Sequence, residues 1–457
     1  MKPNFFDKAA SETVRLFSYP ARPLPDIKIR RYVSDILSRK TLYLESASTL
    51  GTPQYFYDET SIEDAINIFN STFKKYLKRF QMFYAMKSNH LPEISQKAVK
   101  LGSGLDVSSG IELESALSTG CERIIFSGPG KRDEELELAV KNSERITIML
   151  DSPGEFRRLS HVVKRSNKKS RNKISTGIRI RNPLQGNWNK FGTPLDELGN
   201  FLKIISEDNL IEAEGVQFHT SWNLGPETQI KLINNIGNFL MHRVPGNYRK
   251  NFRFLDIGGG YWPDSGEWLN PENTVAGKLI RTVFPGVKFD NRHYYMKSKG
   301  LAYFSKEISK TIMIHEDILN DLEIWAEPGR WISTCSMHIL LKVIDVKKSD
   351  IAITDGGINI LGWERPLTEY IPVINLTRPS GTEKNVTVFG SLCTPDDIWG
   401  RTLFGEDIKK GDILIIPDQG AYTYSLRQGF IKPVPRIVRY DGKNLTMIKG
   451  DKDFLSF

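Results

Sequence analysis

Residues 104–126 read GLDVSSGIELESALSTGCERIIF. Gly104–Val107 is a short strand-like run, Gly110–Ser118 carries apolar residues at helical spacing, and Arg123–Phe126 is strand-like again. Strand, helix and strand in so few residues predict parallel pairing through a right-handed crossover. The same grammar extends outward in both directions, from Gln81 to Trp331. Further strands are predicted at Met82–Met86, Ile146–Leu150, Gly177–Ile180, Glu214–Phe218, Phe252–Ile257 and Glu323–Ala326, with helices such as Asp133–Val140 and Gln229–Leu240 between them. Eight such units over about 250 residues predict a closed (β/α)8 barrel.

Two stretches break the pattern. The interval from Gly260 to Glu327 exceeds one helix, and GEWLNPENTVAG with the Tyr294–Tyr295 pair marks an insertion, read as a cover for the active-site face. After Trp331 the chain turns β-rich, in MHILLKVIDV, VTVFG, DILIIPD and PRIVRYDGKNLTMI. The expected division is 1–54 as a segment joining the β domain, 55–332 as the barrel, and 333–457 as an all-β domain. That is α/β followed by β.

Composition narrows the function classes. The 457 residues carry a net charge of +9, with 39% hydrophobic residues. No apolar run is long enough for a membrane span. Met1–Leu16 lacks the apolar core of a signal peptide. Cys121, Cys335 and Cys393 lie too far apart for a disulfide framework or a zinc site, so a reducing cytoplasm and no metal are expected. KRSNKKSRNK (164–173) is the densest basic stretch, but no aromatic platform accompanies it, which argues against nucleic acid. An anionic small molecule accounts for the charge better.

In a parallel barrel the chemistry gathers at the C-terminal ends of the strands. Those ends supply Lys87, Asp106, Arg179 and Arg181, His219, the triplet Gly258-Gly259-Gly260, and Glu327 with Arg330. Lys87 closes an apolar run, where a desolvated amine is primed for Schiff-base chemistry. The glycines let backbone N–H groups approach a phosphate, although alone the triplet could equally be a plain turn. Its spacing is not a dinucleotide fingerprint, and SGPGK is not a P-loop because Arg132 follows Lys131. Each residue has a bland alternative: His219 as a core histidine, Glu327–Arg330 as a simple ion pair, Cys393 as a small hydrophobe, Tyr422 as ordinary packing.

Taken in order, YAMKSN, DIGGGY, EPGR, SLCTPDD and GAYT resemble the alanine-racemase-like, fold type III pyridoxal-phosphate enzymes. Their decarboxylase branch, the ornithine and diaminopimelate decarboxylases, is the more similar. The resemblance runs from about Tyr55 to about Val438. It implies pyridoxal 5'-phosphate as cofactor, Lys87 as its Schiff-base lysine, and Glu327 at the ring nitrogen. It further implies a cofactor site formed by Asp106, His219, Ser221, Gly258, Gly259, Gly260, Gly329, Arg330 and Tyr422. Cys393 would return a proton to Cα, and a homodimer would share its active sites. A carboxylate at the ring nitrogen favours decarboxylation; the similar racemases carry arginine there.

Three departures bear on the substrate. The family's H-x-G-S becomes His219-Thr220-Ser221-Trp222, and the proline before the cysteine becomes Ser391. Thr394 stands where ornithine and diaminopimelate decarboxylases carry an acid for the substrate's distal ammonium. Threonine cannot compensate desolvation of that charge, so the distal amine is expected to be absent or acylated. Arg365, in WERP, resembles the diaminopimelate enzymes' arginine for a distal carboxylate, and Arg181 and Asp397 complete the expected substrate contacts. The chain is thus similar to siderophore-pathway decarboxylases of citryl-diamino acids, with N-citryl-ornithine in rhizoferrin-type synthesis as the sharpest expectation. Diaminopimelate decarboxylation, and a non-catalytic regulatory homologue of ornithine decarboxylase, are the alternatives.

Overall fold

The computed structural model describes residues 21–450, apart from 167–172, 187, 285, 288, 290, 291 and 363–368. Most of the basic stretch at 164–173 and all of WERP with Arg365 lie outside the described residues. The chain forms two compact units.

The first unit runs from Ser61 to Asp264 and from Lys299 to Ser333. Eight parallel strands close it into a barrel. They are β1 (Phe80–Ala85), β2 (Gly104–Val107), β3 (Ile124–Phe126), β4 (Ile146–Leu150), β5 (Ile174–Arg179), β6 (Ile211–Gln217), β7 (Phe254–Asp256) and β8 (Glu323–Ala326). β8 pairs with both β1 and β7, which completes the ring. The floor of the barrel is filled by Phe83, Ile125, Met149, Phe254 and Trp325, with Phe254 and Trp325 stacked at 3.7 Å. These rings need room, and Gly177 and Gly215 give it. A Cβ on Gly177 would lie 2.5 Å from the Met149 sulfur, and one on Gly215 would lie 2.4 Å from the Phe254 carbonyl.

The helices between strands are built as the sequence suggests. Gly110–Ser118 starts at Ser109, whose hydroxyl accepts from the Glu112 N–H, while Pro153–Arg165 starts at Ser152 in the same way. Each turns an apolar stripe to the barrel: Leu113 and Ala116 in the first, Phe156, Leu159 and Val163 in the second.

The second unit gathers the described residues through Thr60, Ser265–Ser298, and those from Thr334 onward. Its long strand Met337–Lys347 pairs antiparallel with Gln54–Asp58, Ile351–Thr354 and Ile413–Ile416. Gln54–Asp58 in turn runs parallel to Arg436–Tyr440, which pairs with Leu445–Lys449. Two helices, Asp26–Leu37 and Lys40–Leu50, precede the sheet and bury Ile29, Val33 and Tyr43 against Phe56, Leu340 and Ile415.

Contiguity in sequence puts the inserted segment with the barrel, yet Ser265–Ser298 folds as part of this β unit. Glu267–Leu269 and Tyr294–Met296 form a small antiparallel sheet with Arg22–Pro23. Trp268 is the reason: its indole is buried in the cluster of Phe56, Leu340, Tyr370 and Ile374. His293 adds a polar tie, with Nε2 2.9 Å from Glu383. Tyr55–Thr60 likewise belongs to the β unit.

Candidate active site

Parallel strands all end at one rim, so the polar residues of the barrel unit gather there. Lys87 follows β1 in a single tight turn, Met86–Ser88. That turn is held by the Ser88 hydroxyl on the Ala85 carbonyl (2.9 Å), the Tyr84 hydroxyl on the Asn89 carbonyl (2.9 Å), and the Ala85 N–H on the Pro328 carbonyl (3.2 Å). Gly329 allows this close approach of the chain after β8, since a Cβ there would lie 2.8 Å from the Ser88 Cβ. The Lys87 amine donates to Asp106 at 2.9 Å, with its side chain 32% exposed. Asp106 is fully buried, and its other oxygen accepts from the Ser127 hydroxyl. Burial first, and then the Glu327 charge, raise the Asp106 carboxyl above the usual carboxylate range.

Glu327, after β8, is buried beside two donors, Gln217 Nε2 and His219 Nδ1, the latter at 3.1 Å. Its own N–H donates to the Gly258 carbonyl at 2.9 Å. Burial alone would raise Glu327. The hydrogen bond from His219, the Lys87 charge and a hydrogen bond with Asp256 outweigh it and bring the carboxyl down to about 2. Burial lowers the His219 pKa, so its ring is neutral near pH 7. A neutral ring has one N–H, and beside an ionised carboxylate that proton sits on Nδ1. The Gly259 amide lies 3.3 Å from the same nitrogen, in a glycine turn of the kind that takes an anion.

The surrounding backbone has the shape for one. Gly258 and Gly260 have φ of +64° and +89°, and added Cβ atoms would meet the Phe218 carbonyl at 2.3 Å and the Thr220 carbonyl at 2.4 Å. Only glycine fits both the twist and the space. Arg330 lies over the Trp262 ring at 4.5 Å. Ser221 is positioned through its backbone, exchanging hydrogen bonds with the Gln185 side chain at 3.0 and 2.7 Å. At the end of β5, Arg179 stacks over Phe191 at 4.5 Å, and Arg181 reaches the Gly192 carbonyl at 3.4 Å. The barrel unit therefore brings together an amine, a glycine cradle, an ionised carboxylate and a neutral imidazole. A phosphorylated, nitrogen-containing aromatic aldehyde has a complementary group for each.

Four other expected residues sit on the β unit. Cys393 is exposed and Thr394 half-buried, in the loop 391–396. Asp397 closes that loop, accepting the N–H groups of Ile358 (2.7 Å) and Leu392 (2.6 Å) with one oxygen each. Its carboxylate holds the loop. Tyr422 has φ of +55°, a strained conformation for a tyrosine, and Gly362 packs directly on its carbonyl.

Sequence reasoning missed Gln217, Asp256 and Ser127. A polar residue at the end of an otherwise apolar strand, as in LDIGGG and GVQFH, was the available signal. The SGPGK lysine also has a role that was not foreseen. Lys131 is buried and donates to the Gly128 carbonyl (2.6 Å), the Met149 carbonyl (2.7 Å) and Glu155 (2.8 Å), tying the loops after β3 and β4. Lys131→Met would strand the buried Glu155, and we expect a loss of about 3 to 5 kcal/mol in urea unfolding, partly recovered by adding Glu155→Gln.

Comparison with known proteins agrees with this geometry. Residues 62–334 match the family model of the pyridoxal-dependent decarboxylases, pyridoxal binding domain. The chain is 27% identical over 405 residues to the diaminopimelate decarboxylase of Methanothermobacter thermautotrophicus, covering 84% of this chain and 85% of that one. It is 24% identical over 397 residues to the 2-[(L-alanin-3-ylcarbamoyl)methyl]-2-hydroxybutanedioate decarboxylase of Staphylococcus aureus, covering 81% and 89%. Among solved structures, the Methanocaldococcus jannaschii diaminopimelate decarboxylase in complex with L-lysine shares the fold, with a TM-score of 0.74 at 22% identity over 91% of this chain and 93% of that one.

Proposed function

The chain belongs to the pyridoxal-dependent decarboxylases, and from that premise we propose a substrate whose distal nitrogen is acylated and whose far end carries carboxylates, N-citryl-ornithine fitting best. Pyridoxal phosphate is the cofactor and amino-acid decarboxylation the activity. When bound, the cofactor supplies the electron sink for the pair left at Cα as carbon dioxide departs. The chain's residues do the rest. Lys87 would hold the cofactor, with Asp106 orienting the amine. The glycine turn 258–260 and Arg330 would take the phosphate, and Glu327 would hold the ring nitrogen's proton as a carboxylate. His219, neutral and flat, would pack on the ring. Cys393 would return the proton to Cα, from the second subunit of a homodimer.

The observation that carries the substrate is Thr394. Neighbouring acids do not replace the missing carboxylate, because Asp397 is committed to two backbone N–H groups and Asp396 is exposed. A free distal ammonium would find no acid at position 394 to compensate its desolvation. The Staphylococcus aureus relative acts on an amide-linked alanine bearing a hydroxybutanedioate, the same chemical class. Net charge of +9 suits a polyanionic substrate.

Diaminopimelate decarboxylation is the second reading, favoured by relatives such as the Methanothermobacter enzyme and by Arg365. Carbon dioxide release from N-citryl-ornithine, free ornithine and diaminopimelate separates the two. We expect at least about a 100-fold preference in kcat/KM for the citryl conjugate, since an unpaired buried charge costs a free diamine several kcal/mol. Preference for either free diamine overturns the proposal.

A further inference from the structure

At the closed end of the candidate site, Asp256 and Glu327 are both fully buried, on adjacent strands β7 and β8, with Gln217 from β6 between them. Gln217 Nε2 donates to Glu327 and lies 3.3 Å from Asp256 Oδ2. The other Asp256 oxygen accepts the Gly258 N–H at 2.8 Å. Two carboxylates this close, in a dry site with Asp106 nearby, cannot all hold a charge.

We infer that Asp256 is a positioning residue that works as a neutral acid, donating its O–H to Glu327 and, with Gln217, holding Glu327 as the carboxylate of the site. This rests on the role proposed for Glu327 at the ring nitrogen. The groups facing Asp256 all bear on which acid keeps the proton. Glu327 receives help from His219 and from the positive Lys87, which favours its ionised form. Asp256 has the Gly258 N–H and the longer Gln217 contact in favour of its charge, against burial, Glu327 and Asp106. Tyr261, buried alongside, is pushed up by burial and is neutral. Burial and the Glu327 charge therefore push Asp256 well above the carboxylate range, and it is the acid that stays protonated.

The inference has a thermodynamic signature apart from catalysis. An acid whose folded pKa is raised contributes stability that is present below its unfolded pKa and is lost as pH rises towards the folded value. Asn has no proton to take up, so Asp256→Asn escapes that loss while keeping an N–H donor for Glu327.

The test compares Asp256→Asn, Asp256→Ala and Glu327→Gln, each as apoprotein and with pyridoxal phosphate bound. Thermal midpoints are taken from pH 5 to 8, together with the visible absorbance of the bound cofactor and kcat. We expect the midpoint of Asp256→Asn relative to wild type to rise steadily from pH 5 to pH 8. Asp256→Ala should lose roughly 10- to 100-fold in kcat, in the range for a lost charge-assisted hydrogen bond, and Asp256→Asn should recover most of that. If Asp256→Asn is destabilised at pH 8 and as slow as Asp256→Ala, Asp256 acts as an ionised acceptor and the inference fails. It fails too if Asp256→Ala keeps wild-type kcat and absorbance. Should Glu327→Gln itself keep wild-type kcat, the role of Glu327 fails, whatever the Asp256 variants do.

Discussion

Lys87→Ala should abolish decarboxylation, with kcat lower by roughly 10⁴-fold or more, and should remove the visible absorbance of lysine-bound cofactor. The size follows from what the side chain does. Lys87 is the amine at the mouth that Asp106 orients, through a 2.9 Å contact in a turn fixed from three sides. Arg179 stacks on Phe191 and Lys131 is tied into the loops, so neither can stand in. The variant should still fold. Asp106, left without its cation, is already raised by burial and takes up a proton rather than remaining as an unpaired charge. Absorbance spectra, carbon dioxide release and a thermal scan on the same sample check all three statements. Retained turnover would remove the enzyme from the family's mechanism.

Glu327→Gln should lower kcat by about 10²- to 10³-fold while leaving the lysine-bound cofactor and its visible absorbance in place. The fold effect is that of removing one preorganised charge from a dry site, where a carboxylate at about pKa 2 is ionised under all working conditions. Glutamine keeps the shape but cannot hold a proton on a ring nitrogen. Stability should not fall in proportion. Glu327 is a cause of the raised Asp256 and Asp106 carboxyls, so removing its charge relieves both. Steady-state kinetics with urea unfolding of the same variant will tell. A variant with normal kcat and lowered stability would make Glu327 a structural residue only.

Much of the barrel was legible because its signal is local. A parallel strand buried on both faces reads as an apolar run, and Gly104–Val107, Ile146–Leu150 and Glu323–Ala326 have the bounds expected. β5 begins earlier than expected, at Ile174, since Ser175 and Thr176 look like loop; Thr176 is in fact buried with its hydroxyl on the Glu212 carbonyl. Sequence shows only contiguity, which puts the insertion with the barrel, whereas Trp268 finds its core among residues from both ends of the chain. The same limit hid Asp256 and Gln217. Each looks like the polar edge of a strand until the closed ring turns it inward toward Glu327. Lys87, His219, the three glycines and Glu327 were visible because they fall immediately after strands, where a barrel puts its chemistry.

The route of the backbone sets how the molecule can be dissected. The chain passes between its units at Thr60, Asp264, Ser298 and Ser333, so no single cut releases either one whole. A fragment starting at residue 333 lacks Gln54–Asp58, the strand that bonds Arg436–Tyr440 and its hairpin partner to Met337–Lys347. A fragment ending there keeps Trp268 but loses Leu340, Tyr370, Ile374 and Ile415 from the cluster that buries it. Swapping modules with another enzyme therefore demands four matched splices.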